Sequence, residues 1–211
     1  MSDTRPRERI TVYSDYVCPF CYLGRQSLSV YQTDRDDPLE IDWRPFDLRA
    51  GRRGPDGEID PDADDGKDED YYQQARENVR RLANEYDVDM AQEIATDVDS
   101  RPAQIASYHV SETEPYETWL AFDEAVFEAL WLDGRDIGDR DVLVDCATDA
   151  GLTASVVDDA LSDTDLDTRL DRLFEEANAE GITGVPTFAY DGHAARGAVP
   201  PAQLARLVDG T

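Results

Sequence analysis

The sequence predicts an α/β fold interrupted by a large all-α insertion. Strand-like alternation of apolar and polar residues appears only near the two ends of the chain, and helical spacing of apolar residues fills the middle. A Gly-, Pro- and Asp-rich stretch separates the first end from the middle. On these observations residues 1–48 plus 181–211 form one α/β domain, residues 69–180 a helical insertion domain, and residues 49–68 an acidic Gly/Pro-rich loop.

Ile10-Thr11-Val12-Tyr13-Ser14 alternates with period two and carries β-branched residues, which predicts a short strand. After Asp15-Tyr16-Val17, Cys18-Pro19 leads into a helix over residues 20 to about 31, with Leu23, Ser27, Leu28 and Tyr31 at helical spacing. Ile41 and Trp43 alternate with charged neighbours in a second strand over 39–48, where Pro45 marks the end or an edge position. Residues 49–68 have almost no apolar content and read as a solvated loop, with Asp60-Pro61-Asp62 to Asp65 at the surface.

From residue 69 the spacing becomes helical. Tyr72, Ala75, Val79, Leu82 and Tyr86 share one face of a first helix, and a second covers about 101–110. The strongest pattern, over 115–132, spaces Trp119, Phe122, Val126 and Leu130 by three or four. Asp139 is placed to cap a helix carrying Val142, Leu143, Cys146 and Ala147, which Gly151 ends. Two more helical stretches follow, the last over 166 to about 180 and closed by Gly181. The tail returns to strands over 186–190 and 194–199, joined by the hairpin pair Asp191-Gly192. Pro200-Pro201 then opens a closing helix with Leu204 and Leu207 inward.

Charge excludes several classes of partner. The chain carries 48 acidic and 20 basic residues for a net −28, and Lys67 is its single lysine. Such a surface repels phosphate backbones and anionic lipid, so neither nucleic acid nor membrane is expected as a partner. The acid is spread along the whole chain, away from the apolar faces, and points to a high-salt cytosol rather than a binding tail. In being rich in Asp and poor in Lys, the chain resembles haloarchaeal proteins. No stretch approaches the roughly 18 apolar residues of a membrane span. Residues 1–9 show no apolar signal core and no small-residue cleavage site, so a cytoplasmic location is expected.

The chemistry-bearing motif is Cys18-Pro19-Phe20-Cys21, at a strand-to-helix junction. Residues three apart on a helix share a face, so the two sulfurs can close a disulfide with little backbone movement. Cys18 lies at the helix start, where free N–H groups and the positive dipole end stabilise a thiolate. It is therefore the expected exposed nucleophile, and the more covered Cys21 the resolving thiol. Pro19 has no N–H to waste in the first turn. Zinc would need two further ligands, and Cys146, His109 and His193 are scattered singly. A structural disulfide fits a cytosol poorly. Accidental spacing competes too, because a bare CxxC is only moderately specific.

A distant segment, Gly181-Ile182-Thr183-Gly184-Val185-Pro186-Thr187-Phe188, raises the motif's weight. Pro186 can open a strand. A cis bond before it would leave the Val185 backbone free to pair with an extended substrate, although only about 5–6% of X–Pro bonds are cis, so spacing alone favours trans.

Asp15 to Gly24, residues 181–188, and Asp133-Gly134-Arg135-Asp136-Ile137-Gly138-Asp139 with Val142-Leu143 and Gly151-Leu152 together resemble the FrnE-like branch of the DsbA family. The likeness spans nearly the whole chain. It implies a thioredoxin-like fold with an inserted helical domain, Cys18 as nucleophile, Cys21 as resolving cysteine, and Pro186 as a cis-proline facing them. It implies exchange with protein or small-molecule thiols and disulfides, without metal or bound cofactor, and sets no oligomeric state. Phe20 stands where the family's periplasmic oxidants carry His, which points to a less oxidising couple. A second cysteine pair found near the C-terminus of some FrnE-like proteins is missing. Glutathione-dependent isomerases and transferases of the 2-hydroxychromene-2-carboxylate isomerase or kappa type belong to the same superfamily but place Ser at the nucleophile position. One rival reading is such an enzyme, and another is a non-catalytic binding or chaperone domain.

Tyr16 and Phe20 are candidates for an exposed apolar rim that contacts client peptides, beside Val185 and Pro186. Cys146 reads as an inert core thiol. His109 reads as an ordinary histidine and His193 as solvent-exposed. Trp119, Phe122, Phe127 and Trp131 read mainly as core.

Overall fold

The structure is a computed structural model, and it describes residues 7–33, 35–54, 57–60, 63 and 66–210. Expectations for residues 1–6, Pro61, Asp62 and Asp65 lie outside the described residues.

Strand β1 (Arg9–Ser14) is central in a four-stranded sheet of order β2-β1-β3-β4. Helix α1 (Pro19–Thr33) connects it to β2 (Glu40–Pro45), which pairs in parallel with β1 and sets Ile10 beside Ile41 and Val12 beside Trp43. Strands β3 (Thr187–Tyr190) and β4 (His193–Arg196) arrive from the other end of the chain. β3 runs antiparallel to β1, with Phe188 opposite Val12, and β4 pairs back on β3 through Asp191 and Gly192. Both turn residues have positive φ, the geometry that favours an Asp-Gly pair. The sheet is thus α/β with an antiparallel hairpin edge, a thioredoxin-like fold in which the helical block separates its two halves in sequence.

Two strands are shorter than the sequence pattern suggests. β2 ends at Pro45, an edge residue without a donor, and the chain after it turns toward the site. β4 ends at Arg196, because Gly197, at φ 90°, redirects the chain and donates to the Pro186 carbonyl at 2.8 Å.

Between the halves lie α2 (Glu69–Glu85), α3 (Arg101–Thr113), α4 (Tyr116–Trp131), α5 (Arg140–Asp149), α6 (Ala154–Ser162) and α7 (Thr164–Ala179). α8 (Pro201–Asp209) closes the chain with proline in its first turn. The Asp139 side chain caps α5 by accepting from the Asp141 N–H. α7 begins two residues before the periodicity does, because Asp163 accepts from the N–H groups of Asp165 and Leu166.

One apolar core runs without a break from Ile10, Val12 and Trp43 of the sheet to Phe122, Val126, Leu143 and Leu170 of the helices. Each such buried side chain contributes about 1.5–3 kcal/mol. A smaller cluster of Leu23, Val79, Leu82 and Ala83 fixes α2 against α1. The start of the 49–68 loop differs from the solvated reading. Arg49 is buried and donates to the carbonyls of Ala95 and Thr96, while Arg53 bridges Asp47 and Asp99 at 2.7 Å each. Arginine patterning carries no apolar signal, so the anchoring is invisible to hydrophobic periodicity.

Candidate functional site

Cys18 occupies the residue before α1. Its carbonyl accepts from the N–H of Cys21 at 3.0 Å and of Tyr22 at 3.5 Å, while its own N–H donates to the Asp15 carbonyl at 3.1 Å. Its sulfur therefore sits where the helix presents unpaired N–H groups. Both cysteines are free thiols. The Cys18 thiol donates to the Val185 carbonyl oxygen at 3.6 Å, which brings the dithiol and the proline loop into one site. The Val185–Pro186 peptide bond is cis.

Gly24 makes this approach possible. A Cβ there would stand 3.2 Å from Pro186 Cγ and 3.1 Å from Phe188 Cζ, so a bare backbone on α1 lets the loop close over the cysteines.

The two thiols have different environments. Burial pushes Cys21 well above the ordinary thiol range, and the adjoining Cys18 reinforces the shift through a hydrogen bond and its charge. The Asp15 backbone N–H pulls the other way, and the Asp15 charge adds to the rise.

Asp15 is a fully buried carboxyl, and sequence reasoning gave it no role. Burial pushes it up to about 6, against hydrogen bonds from Ser100, Leu48 N–H and Val17 N–H. The Leu48 and Val17 bonds measure 2.8 and 3.2 Å. The available signal was a lone carboxylate between an apolar strand and the first cysteine.

Three expectations about exposure are corrected. Cys18 is 4% exposed rather than open to solvent, with the Val185 carbonyl against its sulfur, whereas Cys21, at 1%, is the more covered of the two as expected. Tyr16 is 1% exposed and cannot form a client-facing rim. Its hydroxyl turns inward, donating to Asp123 Oδ1 and meeting Ser107 Oγ, each at 2.8 Å. Phe20 is half-buried and packs against both apolar clusters, Val185 is half-buried, and Pro186 is buried. Leu48, 37% exposed, is an apolar side chain near the site that the pattern did not single out.

Cys146 is buried in the α5 core, where burial pushes its thiol up to about 11. Trp119, Phe122, Phe127 and Trp131 are also buried. His109 is half-buried on α3 and His193 exposed on β4. No group of three or more His, Cys, Asp or Glu side chains able to hold a metal occurs among the described residues. A cavity of about 930 Å³ lies farther along α1 between Leu28, Leu39, Tyr116 and Leu120. Its three arginines are committed: Arg7 to Glu117, Arg25 to Asp123 and Arg35 to Asp209.

No described helix is long and apolar enough to cross a membrane.

Comparison with known proteins gives a matching family, the DSBA-like thioredoxin domain, over residues 9–209. The uncharacterized protein YwbO of Bacillus subtilis strain 168 is 30% identical over 183 residues, which is 85% of this chain and 84% of that protein. Among solved structures, a probable DsbA oxidoreductase, SCO1869 from Streptomyces coelicolor, superposes with a TM-score of 0.76 at 23% identity, covering 96% of this chain and 88% of that one. A 2-hydroxychromene-2-carboxylate isomerase gives a TM-score of 0.73 at 21% identity, covering 90% and 89%.

Proposed function

The chain belongs to the DSBA-like thioredoxin domain family, and from that premise we propose that it is a thiol–disulfide oxidoreductase working through Cys18 and Cys21. The observation that carries this reading is the Cys18 sulfur at the open end of α1, 3.6 Å from the Val185 carbonyl.

The Cys18 thiolate attacks one sulfur of a partner disulfide. A new S–S bond forms, the partner's bond breaks, and the leaving thiolate takes a proton. Deprotonated Cys21 then attacks the Cys18 sulfur, expels the second partner thiol and leaves a Cys18–Cys21 disulfide. Two electrons have passed to the partner, and a thiol reductant returns them by the reverse steps. Cys21 is kept protonated by burial and by its neighbour, so it waits until the mixed disulfide has removed the Cys18 charge. Asp15, near enough for its charge to be felt at Cys21, receives the Cys21 proton. The Val185 backbone and the half-buried Phe20 contact an extended partner, and Pro186 holds the loop beside the sulfurs.

The partners are protein or small-molecule thiols and disulfides in a cytoplasm, with no nucleic acid or membrane involved. Within the family, the three motifs favour the FrnE-like branch, and the net −28 favours a high-salt, haloarchaeal type of cytosol.

Likeness to an isomerase fold supports a second reading, a glutathione-dependent isomerase that binds a thiol instead of cycling its own. Cys21→Ser separates the two. An exchange enzyme carrying it accumulates mixed disulfides at Cys18 that reductant releases. An isomerase keeps its turnover and traps nothing, and that result would overturn the proposal.

A further inference from the structure

The residue two positions before the nucleophile is held more firmly than a strand-to-helix turn requires. The Tyr16 hydroxyl lies 2.8 Å from both Asp123 Oδ1 of α4 and Ser107 Oγ of α3. The Tyr16 carbonyl accepts from the Trp131 indole N–H at 2.9 Å, and the Trp119 indole donates to the same Ser107 oxygen at 3.0 Å. Asp123 is 0% exposed, and its other oxygen lies 2.8 Å from Nη2 of Arg25, two turns along α1 from Cys18. A charge pair this deep is weak evidence for stability, because desolvation offsets much of its attraction. Fixing one geometry is a use that repays it.

That geometry is the dithiol's. The Cys18 N–H bonds the Asp15 carbonyl, so the 15–18 turn moves as a unit with Tyr16. α1 carries Cys21 and Arg25 on one rigid element. Asp123 therefore holds both parts of the site, the turn bearing Cys18 through Tyr16 and the helix bearing Cys21 through Arg25. Sulfur placement governs disulfide strain, and strain governs how readily a disulfide is reduced.

We propose that Asp123, acting through Tyr16 and Arg25, is a positioning residue that sets the redox poise of the Cys18–Cys21 couple from within the helical block. This inference rests on the dithiol function proposed above. It gives the insertion a task in the chemistry, since Ser107, Asp123 and Trp131 belong to it while both cysteines do not.

The test compares the Cys18–Cys21 equilibrium constant against glutathione in wild type, Tyr16→Phe, Asp123→Asn and the double variant, with Val126→Ala as a control. Val126 lies on α4 at 0% exposure and its apolar side chain contributes no hydrogen bond or ion pair, so its truncation costs stability without removing a polar partner of Tyr16 or Asp123. Tyr16→Phe and Asp123→Asn each shift the equilibrium constant at least about threefold, the double variant shifts it no further than the larger single, and Val126→Ala leaves it in place. Equal constants in wild type and Asp123→Asn, or a shift in Val126→Ala as large as in the network variants, overturn the proposal. A wild-type protein that forms no internal disulfide fails the dithiol reading instead, so the two failures are distinguishable.

Discussion

The sulfur of Cys18 and the carbonyl oxygen of Val185 are 3.6 Å apart in space and 167 residues apart in sequence. Two halves of one small sheet meet at that contact, and the helices between them turn the meeting into a site.

A methyl at Gly24 gains helix propensity, roughly 1 kcal/mol over glycine. It also presses on Pro186 and Phe188 at 3.2 and 3.1 Å, and overpacking of a tight core costs about 1–3 kcal/mol. Gly24→Ala is expected to be near neutral or mildly destabilising in urea, and Gly24→Val to lose about 2 kcal/mol or more. A more stable Gly24→Val protein would show that α1 and the loop are not in close contact.

Asp15 gives a pH dependence with a definite sign. Its carboxyl is raised from 3.8 to about 6 by burial, so folding favours the protonated form. That stability is fully present below pH 3.8 and is lost as pH rises through about 6. Asp15→Asn does not titrate. Relative to it, wild type should lose about 2 kcal/mol between pH 4 and 7, at roughly 1.4 kcal/mol per pKa unit. Resolution of the mixed disulfide should slow in the variant, read as longer-lived Cys18 adducts by quenched-flow mass spectrometry. A stability difference that is flat with pH would remove the buried-acid account.

How far these residues could be read in advance depended on what holds them. β1, α4 and the Asp191-Gly192 hairpin announce themselves because apolar period and turn chemistry fix them locally, and the Cys18/Cys21 pair announces itself by spacing. Tyr16 misled, because an aromatic beside a reactive cysteine reads as a rim until Ser107 and Asp123, from distant helices, supply partners for its hydroxyl. Asp15, Gly24 and Arg49 share the reason for their silence. Their roles are set by Leu48, Pro186 and Ala95, contacts that no local pattern encodes.

Net charge leads to a salt dependence. At −28 the folded surface repels itself, and added salt shortens the screening length from about 10 Å at 0.1 M to about 3 Å at 1 M. The melting temperature is expected to climb steadily as KCl is raised from about 0.1 to 2 M, by ten degrees or more on the order-of-magnitude scale of several kcal/mol. A melting temperature unchanged or lowered by salt would rule out the high-salt reading of the surface.

Cys146 supplies the matching control. Burial raises its thiol to about 11 within the α5 core, so it should stay unmodified while the active pair reacts. Cys146→Ala is expected to leave exchange rates unchanged and to cost about 1–2 kcal/mol in stability. Lost exchange in this variant would place a third sulfur in the chemistry.

The central claim is tested most directly by equilibrating the wild-type protein across a series of glutathione redox mixtures and reading its thiols by mass spectrometry. Expected is a single two-electron transition to a protein two mass units lighter, with the bridge mapped to Cys18 and Cys21 and absent when either is Ser. A protein that keeps both thiols reduced throughout the series, or that oxidises only between molecules, would contradict the account.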